Sequence, residues 1–413
     1  MIKMSFQNGK DIRAKIDSIN NYTGPYSGSR FENFEEEELD LITELRVTKE
    51  IYSLLPYFNN VRSIIMDGTD GIDQDQFASL MVRYPDLEKL TIIGQNKISY
   101  IDLSNHHNLE ELVVCSNEGL GMISGFDKTN KLSKLKFYNN PHFNHNDTLV
   151  LSALKMAKKG NTEVELDVLL YPDVRKEMDE CEMNKSVQEV LLKRIKWTEN
   201  VGVYDIDAIV SYDALQMKEI YDSAMEFINK YIKDTDTDKE KFAIIYEWFT
   251  NNVNYTEDEK EIKNGCNGTY NSLIKKECVC QGYTKGAQFL LKLAGLKSSD
   301  ISCKVNGNPN TITSINGRRV LLGNHSIIKV SIDGKAYYSD ITWDAHSKQN
   351  GYERKYFLLN KDDISKNHEL VGEDNVIAYM PSVDSKEFNE LMKFANDRLG
   401  GKNNYITPND IVK

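Results

Sequence analysis

A hydrophobic pattern that returns at nearly constant spacing is the feature that most constrains the fold of this chain. A leucine, a second leucine three positions later and an apolar residue two positions after that occur three times: Leu87-x-x-Leu90-x-Ile92, Leu109-x-x-Leu112-x-Val114 and Leu132-x-x-Leu135-x-Phe137. The copies start at residues 87, 109 and 132, so their spacings are 22 and 23 residues. A repeat of this length predicts one short strand per copy, with neighbouring copies stacked so that the leucines become buried.

This pattern resembles the leucine-rich repeat, whose period is 20–29 residues. Asn117 and Asn140 occupy matching positions after two of the predicted strands, where an asparagine can hydrogen-bond the backbone of a turn. Two looser copies precede the three clear ones: Val61-x-x-Ile64-x-Met66 and Ile42-x-x-Leu45-x-Val47. The resemblance implies a small α/β leucine-rich-repeat solenoid within residues 1–170, capped at its start by residues 1–40.

The outward strand positions of the repeats are mixed in polarity. Among them we take Ile93, Val113 and Tyr138 as candidates for binding a protein partner. A purely structural spacer explains the same pattern equally well, because a repeat fold does not by itself establish a function.

The chain after the repeats favours helices. Residues 171–206 form the predicted linking segment, because 174–196 are charged, have helical periodicity and contain neither glycine nor proline. Residues 174–196 form either a linking helix or the first helix of the second domain, which is predicted to cover 207–413. Further helices are predicted at 207–230, 240–252 and 385–399.

The second half also carries a thiol, an imidazole and a carboxylate in an order suited to nucleophilic catalysis. Cys280 precedes the apolar helical stretch 287–296, while His325 and Asp340 flank a predicted β-hairpin with the turn Asp333-Gly334. The N-terminus of a helix favours a thiolate, an adjacent imidazole can take its proton, and a carboxylate can fix the imidazole tautomer. Each residue alone is more often structural, so the prediction depends on the combination.

Five segments of this region resemble motifs of bacterial transglutaminase-like domains, which are papain-related cysteine enzymes. In chain order they are 240–255 with Ile245, Trp248 and Tyr255, the nucleophile motif 269–283 with Tyr270, Leu273, Cys280, Gln281, Gly282 and Tyr283, the histidine strand that starts at His325, the aspartate motif 340–344, and 356–360 followed by Ser365 and His368. The resemblance covers residues 205–370 and implies an α+β transglutaminase-like fold for 207–413.

The resemblance implies that Cys280 is the nucleophile, His325 the base and Asp340 the orienting acid. Asp344 is a rival for the acid role, but the motif aligns it with the end of the strand, where it caps or pairs locally. The family pattern has glycine where this chain has Cys278, and an aromatic residue where it has Ile327. Both departures concern the substrate pocket rather than the triad.

The predicted chemistry is acyl transfer at a protein or peptide amide. The backbone N–H of Cys280 would hold the oxyanion together with one side-chain donor, for which Gln281 and Tyr270 are the candidates. Water or an amine would resolve the acyl-enzyme, giving a protease, deamidase or transglutaminase. The alternative is a non-catalytic interaction module with a vestigial transglutaminase-like site.

Composition excludes several other classes of protein. A net charge of -12 argues against nucleic-acid binding, and no apolar run approaches the ~20 residues that span a bilayer. The start of the chain lacks an apolar signal core, which predicts a soluble, cytoplasmic protein, or a secreted or cell-surface one if a leader has been removed. Cys278-x-Cys280 has no second pair of zinc ligands and no calcium-loop motif is present, so no cofactor or metal is predicted. Disulfide pairing among Cys266, Cys278 and Cys303 stays open.

Overall fold

The structure is a computed structural model that describes residues 42–400, except 54, 68–71, 144–146, 202–208, 257–267, 306–310, 316–317, 323–324 and 371–380. The N-terminal cap predicted for residues 1–40 therefore lies outside the described residues, as do Cys266 and the tail from 401. The chain has a mixed α/β architecture and divides into two compact units, Met1–Leu166 with Asp173–Ile195 and Asp167–Pro172 with Lys196–Lys413. Within the described residues, no helix is both long enough and apolar enough to cross a bilayer.

The first unit alternates short strands with helices. Its strands are β1 Glu44–Arg46, β2 Ser63–Asp67, β3 Lys89–Ile93, β4 Tyr100–Asp102, β5 Glu111–Cys115, β6 Met122–Ser124, β7 Lys134–Tyr138 and β8 Glu163–Asp167. Its helices are α1 Lys49–Tyr52, α2 Gln74–Arg83, α3 Asp147–Lys159, α4 Tyr171–Glu180 and α5 Lys185–Lys193, with short 3-10 turns at Leu55–Tyr57 and Phe126–Lys128.

The repeated leucines produce a parallel sheet with one strand per repeat. β1, β2, β3, β5, β7 and β8 follow one another in parallel, and Leu90 lies opposite Leu112, which lies opposite Leu135. The first leucine of each clear copy is also buried, at Leu87, Leu109 and Leu132. The parallel pairing and the buried leucine column predicted from the repeats are therefore confirmed.

Two asparagines connect successive repeats, as the sequence pattern predicts. The Asn117 Nδ2 donates to the Ile92 carbonyl at 3.0 Å, and its Oδ1 accepts from the Gln95 N–H at 2.9 Å. One repeat later, Asn140 Nδ2 donates to the Val114 carbonyl at 3.0 Å, while Asn140 Oδ1 accepts from the Asn117 N–H at 3.1 Å. Each amide thus satisfies backbone groups that the end of a strand leaves unpaired.

Some elements of this unit follow no pattern in the sequence. β4 and β6, which alternate with the repeat strands along the chain, form a separate two-stranded parallel sheet. Residues 174–196 form most of α4, then α5 and the first residues of a strand, rather than one linking helix. The two helices separate at Asn184, whose side chain caps α5 by accepting from the Ser186 N–H.

The second unit places helices around an antiparallel sheet. Its strands are β9 Ile195–Asn200, β10 Ile209–Tyr212, β11 Asn254–Tyr255, β12 Glu277–Cys278, β13 Lys297–Val305, β14 Thr311–Ile315, β15 Arg318–Leu322, β16 His325–Ile332, β17 Lys335–Ser339 and β18 His368–Leu370. Its helices are α6 Ala214–Tyr231, α7 Asp238–Asn252, α8 Cys280–Leu293, α9 Ile341–Gln349, α10 Lys361–Ile364 and α11 Ser385–Leu399, with a 3-10 turn at Val168–Leu170 and a π-helical turn at Asn271–Lys275.

The central sheet of this unit has the strand order β17-β16-β13-β18, and all of its pairs are antiparallel. The hairpin predicted at Asp333-Gly334 is present, because Ile332 pairs with Lys335 and both turn residues have positive φ. Positive φ at two consecutive positions is the geometry that an Asp-Gly turn provides.

Helix starts in this unit follow their capping residues. Asp213 and Thr237 each accept from a backbone N–H in the first turn, and the glutamine or glutamate three positions later returns the bond. The helix predicted at 207–230 therefore begins at Ala214, because the preceding residues form β10. The helices predicted at 240–252 and 385–399 lie where expected.

The side chains of Asn117 and Asn140, here called the asparagine ladder, give a test of the first unit. We expect Asn117→Ala to lower the free energy of unfolding by about 2 kcal/mol, because it removes one hydrogen-bond partner each from the Gln95 N–H and the Ile92 carbonyl. Urea unfolding of the full chain, followed by circular dichroism, measures the change. Asn108→Ala is the matched control, since among the described residues the Asn108 side chain bonds only to the exposed side chains of Asp86 and Lys131. An equal loss in both variants would contradict a structural role for the ladder.

Candidate active site

Cys280 is the first residue of α8, with the extended residue Val279 before it. The parallel pair β11–β12 ends at Cys278 and fixes the chain on its way into the helix. The first N–H groups of a helix have no intrahelical acceptor, so the start of α8 offers free donors and the positive end of the helix dipole. The thiol therefore lies at a helix N-terminus, as the sequence predicts.

Close packing on both sides holds α8 in place. A side chain at Gly286 would clash with Ser272, since a Cβ there would lie 2.1 Å from the Ser272 Oγ. On the other side, the Thr284 and Ser326 hydroxyls lie 3.0 Å apart and join α8 to β16. This link lies one residue beyond His325, so it holds α8, which starts at Cys280, against the strand that carries the imidazole.

His325 is the first residue of β16 and pairs with Cys303 on β13. Its Nε2 lies 2.7 Å from Asp340 Oδ2, and Cys280 is near enough to contribute to the raised pKa of His325. Because Nε2 faces the carboxylate, Nδ1 is the ring nitrogen that remains for the thiol. The imidazole therefore has the carboxylate and the thiol as neighbours.

Asp340 follows β17 directly and caps α9, so it ends a strand and begins a helix rather than lying within a strand. Its Oδ1 accepts from the Trp343 N–H at 3.0 Å. Its Oδ2 accepts from two imidazoles, His325 at 2.7 Å and His368 at 3.0 Å. The carboxylate is fully buried, so these donors replace the water that it would otherwise bind.

Opposite charges shift the pKa values of this pair. Burial alone would lower the pKa of His325, but the charge and hydrogen bond of Asp340, together with the neighbouring Cys280, raise it to about 10. Burial alone would raise the pKa of Asp340, but the two imidazoles hold it well below its usual range. At neutral pH the site therefore holds a carboxylate and an imidazolium next to the thiol.

Asp344, the rival candidate for the acid, has a structural environment. It accepts from the Tyr246 hydroxyl and from the backbone N–H groups of Lys355 and Tyr356. Burial is the main influence on it and raises its pKa to about 7. It binds the segment after α9 to α7, which agrees with the local pairing expected from the sequence.

Both side chains proposed for the oxyanion have other partners in the structure. The Gln281 Nε2 donates to Asp300 Oδ2 at 3.3 Å, while its buried Oε1 has no partner among the described residues. The Tyr270 hydroxyl donates to Glu219 on α6 at 2.7 Å. The backbone donors at the start of α8 are thus more available than either side chain.

A buried polar network near α8 could not be predicted from sequence motifs. Lys285 forms an ion pair with Asp300, N to O 3.1 Å. Burial would lower the pKa of Lys285, but Asp300 and Glu199 raise it overall. Glu199 in turn accepts from Thr269 N–H at 2.8 Å and from Tyr212 at 2.9 Å, which attaches β9 to the segment before the π-helical turn. No local pattern marks these residues, because they are far apart in the chain.

His325, Asp340 and His368 form the one group of metal-ligand type among the described residues, with ligand atoms within 4.8 Å of one another. Two imidazoles and a carboxylate are a donor set that zinc accepts. Tetrahedral zinc places its ligand atoms about 3.3 Å apart, whereas these nitrogens lie 2.7 and 3.0 Å from one oxygen. Those distances fit shared protons better than a shared metal.

The partner-binding candidates of the first unit lie on one face of its parallel sheet. Ile93 and Tyr138 both flank Cys115 in one row of paired positions, and Val113 lies in the adjacent row. All three candidates are partly exposed, whereas Cys115 between them is buried.

Comparisons with known proteins find similarity only among solved structures. No family model and no curated protein matches this chain. A candidate protease from Parabacteroides distasonis is 14% identical with a TM-score of 0.22, over 30% of this chain and 25% of its own. A candidate cysteine protease from Cytophaga hutchinsonii is 13% identical with a TM-score of 0.23, over 40% and 55%.

A third structure, named a TGase (transglutaminase), is 10% identical with a TM-score of 0.20, over 55% of this chain and 65% of its own. This chain therefore covers less than two thirds of each of these three proteins. At such identities and TM-scores, the similarities do not decide the activity of this chain.

The raised pKa of His325 predicts how stability depends on pH. The folded state keeps a proton on His325 that the unfolded chain loses above its ordinary value of about 6.5. This contribution is complete below about pH 6.5 and is lost as the pH rises through about 10, with a slope of about 1 kcal/mol per pH unit between them. We expect His325→Gln to remove this slope in urea titrations from pH 7 to 9.5.

His346→Gln is the control for this experiment, because His346 is exposed on α9 in the same unit. It should leave the slope as it is in the unchanged protein. A slope that persists in His325→Gln would show that another group causes it.

Proposed function

We propose that the second unit is a cysteine-dependent acyl-transfer domain that acts on protein or peptide amides. The observation that carries the proposal is the buried His325–Asp340 pair next to Cys280, which is the first residue of a helix. The sequence resemblance to transglutaminase-like domains supports the same assignment. In this proposal Cys280 is the nucleophile, His325 the general base and acid, and Asp340 the group that orients His325.

The reaction proceeds through a thioester. The Cys280 thiolate attacks the amide carbonyl, and the backbone N–H groups at the start of α8 stabilise the oxyanion. His325 then gives its proton to the leaving nitrogen, so the carbon–nitrogen bond breaks and ammonia or an amine leaves. Water or a second amine attacks the thioester, His325 takes the proton of this nucleophile, and the sulfur leaves as thiolate.

Asp340 enables His325 both to donate a proton to the leaving group and to accept one from the attacking nucleophile. Its bond to Nε2 leaves Nδ1 as the nitrogen that exchanges a proton with the sulfur or the substrate in this proposal. Its charge stabilises the imidazolium that protonates the leaving group. A carboxylate that already accepts three hydrogen bonds is a poor base, so the proton stays on the imidazole.

We further propose that the first unit is a leucine-rich-repeat domain that holds a protein partner or substrate. Its parallel strands, its buried leucines and the asparagine ladder support this assignment. Ile93, Val113 and Tyr138 would contact the partner, since they lie in adjacent rows of one partly exposed sheet face. Residues 171–206 would connect this domain to the catalytic domain at 207–413.

One observation favours the alternative of a non-catalytic module with a vestigial site. The Cys280 side chain is only 2% exposed, and His325 and Asp340 are also buried. A substrate carbonyl must reach the sulfur, so a functional site has to open at this point.

Thiol labelling separates these two functions without knowledge of the substrate. Cys181 is exposed, but its hydrogen bond to Glu177 and its desolvation raise its thiol pKa. We expect iodoacetamide at pH 7 to alkylate Cys280 faster than Cys181, because a nucleophilic cysteine beside a histidine at a helix N-terminus reacts faster than a surface thiol. Peptide mass spectrometry measures both rates. Labelling of Cys181 alone would favour the vestigial module.

Activity is tested with glutamine-containing peptides, with and without a primary amine. Cys280→Ala should abolish turnover and lower the free energy of unfolding by about 1 kcal/mol, because the loss of one sulfur leaves a small void. Cys181→Ala is the matched control and should keep full activity. Ammonia release, peptide cleavage and amine incorporation distinguish deamidation, proteolysis and cross-linking. Equal turnover by Cys280→Ala and the unchanged protein would refute the proposed chemistry.

A further inference from the structure

A second histidine contacts the carboxylate of the proposed triad. His368 Nε2 lies 3.0 Å from Asp340 Oδ2, the same oxygen that bonds His325. Its side chain is fully buried. The proposed reaction gives this residue no role, although its ring lies at the centre of the site.

Strand register brings the two histidines to the same face of the sheet. β13 lies between β16 and β18, with His325 opposite Cys303 on one side and His368 opposite Val305 on the other. Cys303 and Val305 are two positions apart, so they project on the same side of β13. The two imidazoles therefore project toward Asp340 from strands on either side of β13.

The unpaired nitrogen of His368 identifies its tautomer. Nδ1 is buried and has no hydrogen-bond partner among the described residues. A proton on Nδ1 would be a buried donor without an acceptor, which is unfavourable. The hydrogen therefore lies on Nε2, and His368 donates this N–H to Asp340 in a hydrogen bond.

Aromatic side chains fix the plane of the His368 ring. Trp343 lies 4.7 Å from it between centroids and also stacks on His325 at 5.4 Å. Tyr356 contacts the other side of His368 edge-on at 5.3 Å. The ring is therefore held in one orientation, as a residue that positions its neighbour requires.

We infer that His368 is a positioning residue for the proposed acyl transfer: its Nε2–H fixes Asp340 Oδ2 and withdraws part of its charge from His325. This inference rests on the proposed function, because it describes how the triad of that reaction is held. His368 touches neither the sulfur nor the substrate and acts only through Asp340.

Two consequences follow from the shared oxygen. Without the His368 donor, the Asp340 carboxylate is less firmly held, so His325 is oriented less well in the transition state. The carboxylate charge also acts more strongly on His325, so the imidazolium keeps its proton to higher pH. The other titratable groups near this cluster are Cys280 on α8, Cys303 on β13, Asp344 on α9 and Tyr356 after it.

Two substitutions separate the donor from the ring. His368→Phe keeps the aromatic packing against Trp343 and Tyr356 but has no N–H, whereas His368→Gln keeps an amide N–H near the position of Nε2 but has no ring. If His368 acts through its N–H, His368→Phe impairs the site and His368→Gln preserves it. If His368 acts through its packing, His368→Gln is the more damaging variant.

Both variants are compared with the unchanged full chain in their steady-state kinetics, in the pH profile of kcat and in the titration of His325. We expect His368→Phe to lower kcat about tenfold with KM nearly unchanged, because the lost contact acts in the transition state. The alkaline limb of the pH profile of kcat in this variant should move to higher pH by a few tenths of a pH unit or more. The His325 titration, followed by NMR of ¹⁵N-histidine-labelled protein, should move in the same direction. His368→Gln should stay within about threefold of the unchanged protein in kcat, without the shift.

The NMR titration keeps the inference testable even if no turnover is found. An upward shift of His325 in Phe but not in Gln supports the inference whatever the substrate is. Identical titrations in all three proteins, or a larger loss of kcat in Gln than in Phe, overturn it and leave the proposed function standing. One zinc ion per chain that is lost in both variants, measured by elemental analysis, also overturns it, because His368 would then be a metal ligand.

Discussion

The buried carboxylate of Asp340 is the constraint on which the rest of the candidate site depends. An ionised carboxylate without water is strongly unfavourable unless several donors surround it. Here the first turn of α9 provides one donor, and the strands β16 and β18 provide two more through His325 and His368. The ends of three separate elements must therefore meet at one pair of oxygens. The position of His325, and through it the contact with Cys280, follows from that requirement.

Asp340 and Asp344 show how environment assigns different roles to the same side chain. Both are fully buried and lie one helical turn apart. Asp340 faces two imidazoles, one of them cationic, so its pKa is lowered. Asp344 faces neutral donors, and its burial raises the pKa to about 7. Only the first can stabilise an imidazolium at neutral pH. The sequence motif alone favours Asp340 over Asp344 for the acid role, and the contacts of the two residues give the physical reason.

The parts of this fold that could be predicted from sequence are those that local patterns specify. The repeat period predicts the parallel strands, and Asp333-Gly334 predicts the hairpin, because each pattern lies within a short stretch of chain. Cys280 at a helix start was predictable for the same reason. The contact between His368 and Asp340 was not, since it depends on the pairing of β18 with β13. Likewise, no sequence pattern links Lys285 with Asp300 or predicts the sheet of β4 and β6.

The buried carboxylate of Glu247 also helps to hold the helix that Asp340 caps. Glu247 on α7 pairs with Lys348 near the end of α9 and with Arg354 beyond it, and accepts from Asn396 on α11. Helix α9 is thus fixed at its start by Asp340 and near its end by Glu247. Removing one partner of such a buried pair costs about 3–5 kcal/mol, far more than a surface pair. The geometry of the candidate site therefore depends on charges at both ends of one short helix, and a change at Glu247 would disturb Asp340 through that helix.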